Sequence, residues 1–97
     1  MGIKEKIENW SVERSIDGYE NRFQQLVKLS EEVGELSGAV LKQRESEIID
    51  AIGDIQVVLI ILSKQLGVDY EGALEIAWEV IKNRKGSTIN GTFIKSE

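Results

Sequence analysis

The sequence predicts an all-α fold: a four-helix chain that forms an oligomeric helical bundle, with a small C-terminal hairpin or tail. Three observations carry this. Apolar residues recur at spacings of 3 and 4 in the first, second and fourth stretches of the chain, which is the period of a helix face. The third stretch is apolar on almost every side, and a helix of that kind needs neighbours all round. With 97 residues, 41% apolar and 30% charged, the composition is that of one soluble domain, and a helical domain so short often leans on a partner subunit to finish its core.

The first helix rests on Ile3, Ile7, Trp10 and Arg14, spaced 4, 3 and 4 apart, and is broken at Asp17-Gly18. The second runs from about Tyr19 to Leu41, where Leu26, Leu29, Val33, Leu36 and Val40 form a stripe at 3, 4, 3 and 4 that is expected to face a core. A polar loop, Lys42-Gln43-Arg44-Glu45, leads to Ser46, the expected N-cap of a third helix starting at Glu47. From Ile48 to Leu62 most positions are apolar, and the run Val57-Val58-Leu59-Ile60-Ile61-Leu62 leaves no wet face. The β-branched content suits a strand, but the length of the segment, its carboxylates at helical spacing and the terminal Gly67 favour a helix. Asp69 is expected to cap the fourth helix, whose Tyr70, Leu74, Ala77, Trp78 and Ile81 form a buried stripe and which stops near Lys85-Gly86. In the tail, Asn90-Gly91 stands between two β-prone triplets, the pattern of a hairpin with a type I′ turn. No repeat or linker divides the chain, which reads as a single domain over residues 1–97.

The absence of Cys excludes a disulfide framework and thiolate chemistry, and the absence of His removes imidazole metal sites and Ser-His triads. A net charge of −5 disfavours broad attraction to nucleic acid or to an anionic membrane, so neither is an expected partner. The N-terminus lacks the apolar stretch of a signal peptide, and no apolar run approaches the roughly 20 residues that span a bilayer. A cytoplasmic location is therefore expected.

The chemistry lies in the acids. On the second helix Asn21, Gln25, Lys28, Glu32 and Glu35 make a polar stripe within an arc of roughly 80°. On the third, Glu47, Asp50 and Asp54 start a face that continues as Val57, Val58 and Ile61 and is buried further along. Antiparallel packing of the two helices brings Glu32 and Glu35 towards Glu47 and Asp50 in one partly buried pocket. Carboxylates at that density repel unless protons or cations compensate, and an all-oxygen set favours Mg²⁺ or Mn²⁺ over Zn²⁺. Glu-rich helix faces commonly do no more than solvate a helix, and Glu31-Glu32-x-x-Glu35 taken alone fits that. Asp50 and Asp54 shift the balance, because Asp inside an apolar helix is a poor helix former in a costly position.

Glu31-Glu32-x-x-Glu35, followed after eleven residues by Glu47-x-x-Asp50, resembles the EExxE…ExxD signature of the MazG-like all-α nucleoside triphosphate pyrophosphohydrolases, in their short single-domain form. The likeness extends to Trp10, Gln25, Lys28-Leu29, Gly53-Asp54-Ile55 and the stretch Ala77-Trp78…Ile81-Lys82-Asn83-Arg84-Lys85-Gly86. The resemblance implies Mg²⁺-dependent hydrolysis of a (deoxy)nucleoside triphosphate to the monophosphate and pyrophosphate, in a dimer or a tetramer built from dimers. By position, Glu32, Glu35, Glu47 and Asp50 match its metal ligands, and Glu31 is placed to orient the attacking water or a second metal. Lys28, Lys82, Arg84 and Lys85 are candidates for neutralising phosphate oxygens, although at a helix end such residues also simply complement the helix dipole. Trp10 is a candidate for stacking on the base, and Gln25 or Asn21 for hydrogen-bonding base or sugar; both Trp10 and Trp78 also suit a core. Asp54 is a further acid of the site, ranked below the motif positions. Two rival readings follow from the same residues: a non-catalytic helical oligomer that binds nucleotide or a protein partner, and a carboxylate-bridged redox metalloprotein, which the lack of His disfavours.

Overall fold

The computed structural model describes residues 1–96. Four helices, α1 (Ile3–Glu13), α2 (Arg22–Leu41), α3 (Glu45–Leu66) and α4 (Tyr70–Ile81), are followed by an antiparallel ribbon of β1 (Gly86–Ile89) and β2 (Thr92–Lys95). A short 3-10 turn, Tyr19–Asn21, leads into α2, so the second helix starts a turn later than its periodicity suggests. No helix among the described residues is long and apolar enough to cross a membrane.

The helix ends explain the connections. After α1, α2 and α3 the chain turns through a left-handed residue: Ser15 at φ 58°, Gln43 at φ 56° and Gly67 at φ 71°. Each turn closes with the same pair of bonds. Around Gln43, the Arg44 N–H donates to the Ala39 carbonyl at 3.0 Å and the Gln43 N–H to Val40 at 3.1 Å, satisfying carbonyls the helix leaves open. The turn is so tight that α3 begins at Glu45 with Arg44 as its N-cap, ahead of the Ser46 cap that composition suggests. At Asp69, the expected cap position of α4, no side-chain hydrogen bond forms.

α2 and α3 pair along their length, α1 lies against α3, and α4 lies against α3 alone. The buried apolar residues are Ala39, Ala51, Val58, Ile60 and Ile61, with Val58 and Ile61 each only 2% exposed. Ser11 sits fully buried in α1, its hydroxyl turned back to donate to the Glu8 carbonyl at 2.6 Å. Near the other end of the pair, the Gln65 amide reaches 49 residues back and donates to the Ile16 carbonyl at 2.7 Å, pinning the α1–α2 connection to α3.

Two stripes differ from expectation. α2 turns Gln25, Glu32 and Ala39 towards α3, and Leu26, Val33 and Val40 of its apolar stripe stand about half exposed. α4 buries none of its residues, so Leu74, Trp78 and Ile81 are all exposed. The physical reason is the same for both: one chain offers each helix a single neighbour, and one neighbour cannot cover an apolar arc that wide. The ribbon follows the expected turn, with Asn90 at φ 50° and Gly91 at φ 79° as its two central residues. Its register pairs Ser87 with Ile94, Thr88 with Phe93 and Ile89 with Thr92. A Cβ at Gly86 would run into the Ile94 carbonyl and the Phe93 ring, so glycine is what lets the strands close there.

Candidate functional site

The tight turn at Gln43 sets the C-terminal half of α2 beside the N-terminal half of α3 and leaves a cleft of about 650 Å³ between them. Glu31 and Glu35 line it from α2, Glu47 and Asp50 from α3, and Lys42 and Arg44 from the turn. Gly34, Gly38, Ala39 and Ala51 form the rest of its wall. These small residues hold the helices close without filling the space between them. The i, i+4 spacing of Glu31 and Glu35 and the i, i+3 spacing of Glu47 and Asp50 put each pair on one face of its helix, so carboxylates line the cleft from both sides, while Glu32 is not among the lining residues.

Glu32 is the buried member of the set. Its side chain lies on the face of α2 that meets α3, at 7% exposure, with Oε1 3.5 Å from Lys28 Nζ. Its other oxygen, Oε2, is buried without any hydrogen-bond partner. A carboxylate oxygen so placed is costly unless a proton or a cation meets it. The neighbours register the same field. The negative charge of Glu32 is the chief cause that pushes the Glu35 carboxyl above its ordinary range, with desolvation adding to it and Lys28 opposing. Asp54 is also pushed up, first by desolvation, then by Asp50 and Glu32. Asp54 thus belongs electrically to the site although it lies a turn deeper along α3.

The donor set is carboxylate oxygen only, and the orphaned Glu32 oxygen together with the mutual repulsion of Glu32, Glu35, Asp50 and Asp54 fits a hard divalent cation. Among the described residues no three of these acids stand close enough to hold one ion between them, so closing a shell takes side-chain rotation on the fixed helical frame.

Other candidate residues fall in different places. Gln25 is buried at the α2–α3 contact, one turn beyond Lys28. Trp10 is part of an apolar recess with Ile3, Lys6, Ile7 and Val57, away from the acids, and Arg14 stacks over its ring at 4.1 Å. Lys82, Arg84 and Lys85 follow the end of α4, outside the cleft; Lys82 Nζ is bonded to Glu79. Asn21 Nδ2 donates to the Ser15 carbonyl at 3.4 Å instead of facing the cleft. Lys42 and Arg44 are the charged cleft residues that sequence reasoning left out of the site; Arg44 is the one that is paired. Its guanidinium lies 3.5 Å from Glu47 Oε2, and the available signal was a basic pair, Lys42 and Arg44, in a three-residue link between two acid-bearing helices.

Residues 3–82 match the family described as phosphoribosyl-ATP pyrophosphohydrolase. The uncharacterized 18.2 kDa protein in the rep-hol intergenic region of Haemophilus phage HP1 is 41% identical over 63 residues, which make up 65% of this chain and 39% of that protein. The matched stretch thus spans well under half the length of that relative. No solved structure matches the chain.

Proposed function

Because the chain belongs to the phosphoribosyl-ATP pyrophosphohydrolase family, we propose that it is a MazG-like pyrophosphohydrolase acting in the α2–α3 cleft. It splits a (deoxy)nucleoside triphosphate between the α- and β-phosphates, releasing the monophosphate and pyrophosphate, with Mg²⁺ as cofactor and Mn²⁺ as a workable substitute. The observation that carries the reading is the buried Glu32 with an unpartnered oxygen on the face of α2 that meets α3, next to a cleft lined by Glu31, Glu35, Glu47 and Asp50. A solvated helix face has no reason to bury one of its acids.

Glu32, Glu35, Glu47 and Asp50 would hold Mg²⁺, which when bound lowers the pKa of water and offsets charge on the departing pyrophosphate. Glu31, on the cleft wall, accepts a hydrogen bond from the attacking water and orients it. Lys28, Lys42 and Arg44 bring positive charge to the triphosphate without leaving their helix ends or pairs. Asp54 is the further acid of the site, one turn along α3 from Asp50. Gln25, at the α2–α3 contact, is the amide for a base or sugar, and Trp10 offers a ring in the separate apolar recess. Lys82, Arg84 and Lys85 stand apart from their own cleft and serve one only if another copy brings them there.

Self-association, to a dimer or a dimer of dimers, covers the exposed faces of α2 and α4. The family's description favours phosphoribosyl-ATP as a second substrate reading, and it carries the same scissile bond. A panel of common and damaged (d)NTPs plus phosphoribosyl-ATP, assayed with millimolar Mg²⁺ for pyrophosphate, separates the two readings. Release from none of them supports the rival reading, a non-catalytic helical oligomer.

A further inference from the structure

We propose that the C-terminal ribbon, residues 84–95, is an arm that seats on the acidic cleft of a second copy of the chain and brings Arg84, Lys85 and Lys95 to it. The inference rests on the reading of the cleft as a phosphate-handling site only for what the cations do there.

The ribbon makes no contact with any helix among the described residues. Both of its faces are open, and Ile89, Phe93 and Ile94 are each about half exposed. A two-stranded ribbon standing free in water is marginal, so this one needs a surface to lie on. Its charge says which. Residues 82–96 contain Lys82, Arg84, Lys85 and Lys95 and no carboxylate, in a chain whose net charge is −5. Lys82 is taken by Glu79, which leaves Arg84, Lys85 and Lys95 without an ion pair among the described residues. In the cleft, Arg44 pairs with Glu47 and Lys42 is the other cation, while Glu31, Glu35 and Asp50 are likewise without an ion pair among the described residues. Basic arm and acidic cleft are complementary in sign.

The arm does not reach its own cleft, since α4 lies against α3 alone and the ribbon against nothing. A second copy supplies the landing surface. On α4, Glu71, Glu75 and Glu79 recur every four residues and mark one wet line, whereas Leu74, Ile76, Trp78, Val80 and Ile81 around the rest are all exposed. The exposed stripe Leu26, Val33 and Val40 of α2 runs beside its acid row. A partner's α4 packed on that stripe, running in the direction of α2, delivers the ribbon that follows it to the cleft half of the helix. Each copy then both lends an arm and receives one, which is the isologous arrangement a two-fold dimer requires.

The chain has no cysteine, so single introduced thiols report the contact without background. One chain carries Ser87→Cys on the ribbon and another Gly38→Cys on the cleft wall, where a Cβ meets nothing within 4 Å. Lys42→Cys at the cleft mouth is the alternative should Gly38→Cys fail to fold. Mixed and gently oxidised, the two full-length chains are expected to form the mixed disulfide in preference to either self-pair. Lys85→Glu with Lys95→Glu on the ribbon chain should lower its yield about tenfold, and added salt should lower it as well. Ribbon-to-ribbon disulfides, an internal disulfide in a chain carrying both thiols at high dilution, or a mixed yield indifferent to the charge reversal would each overturn the proposal. The readout needs no turnover. A mixed disulfide from a protein that releases no pyrophosphate upholds the docking and removes the catalytic reading; pyrophosphate release without the mixed disulfide does the reverse.

Discussion

Glu35 and Asp50 face each other across the cleft, and their carboxylates are placed so that charge, more than shape, is what they contribute. On the proposed reading of both as Mg²⁺ ligands, Glu35→Gln or Asp50→Asn is expected to cut the rate of pyrophosphate release by about a hundredfold. The thermal midpoint should hold or rise in the absence of Mg²⁺, because each change removes a like-charge contact. Near-normal turnover by either variant would take that residue out of the site. The raised Glu35 and Asp54 carboxyls add a pH dependence with a definite sign. Both take up a proton more readily in the folded than in the unfolded chain, so their contribution to stability grows as pH falls from neutrality towards the ordinary values of 4.5 and 3.8. Melting curves without metal should show this rise, and Glu35→Gln combined with Asp54→Asn should flatten it. At this scale the acids were legible because i, i+3 spacing on a helix fixes which side chains share a face. Arg44 was not, since a loop residue has no period to place it.

Helix ends divide the same way. Gly67 announces a left-handed turn by its identity, whereas Ser15 and Gln43 adopt the same conformation with no residue-type signal, held by the bond pairs that close each turn. Gln43→Gly relieves the steric cost of that conformation and loses part of the gain to greater freedom in the unfolded chain, for a net stabilisation of about 0.5 kcal/mol in a denaturant titration. Loss of stability there would mean that the Gln43 side chain, and not the backbone turn, sets the α2–α3 approach. In α3, Val58 and Ile61 are the best-buried apolar side chains, and Val58→Asp or Ile61→Asp places an unpaired charge among them. Either should cost about 4 kcal/mol or more and abolish the folded circular-dichroism signal. Apolar periodicity placed α1, α2 and α4, length and the terminal Gly67 placed α3, and Asn90-Gly91 placed the hairpin, yet the apolar stripes misjudged which faces of α2 and α4 are covered. An apolar stripe specifies that a surface is to be buried and says nothing of whether the cover comes from the same chain.

The whole molecule measures 46 × 34 × 27 Å, elongated for 97 residues, with α4 and the ribbon contributing no buried side chain. Large apolar side chains left exposed together on α2 and α4 are the kind of surface that an interaction site presents. Sedimentation equilibrium at micromolar concentration should accordingly give a dimer or a tetramer, and Trp78→Glu, on the open face of α4, should shift the mass towards the monomer. A monomer that retains full activity would show that the exposed faces serve something other than self-association. Above all these stands the reaction itself. Purified chain, millimolar Mg²⁺ and the panel of (d)NTPs with phosphoribosyl-ATP should yield monophosphate and pyrophosphate in equal amounts from at least one nucleotide, with Asp50→Asn as the inactive control. Diphosphate with orthophosphate as products, or no release from any nucleotide, would contradict the assignment of the α2–α3 cleft as a pyrophosphohydrolase site.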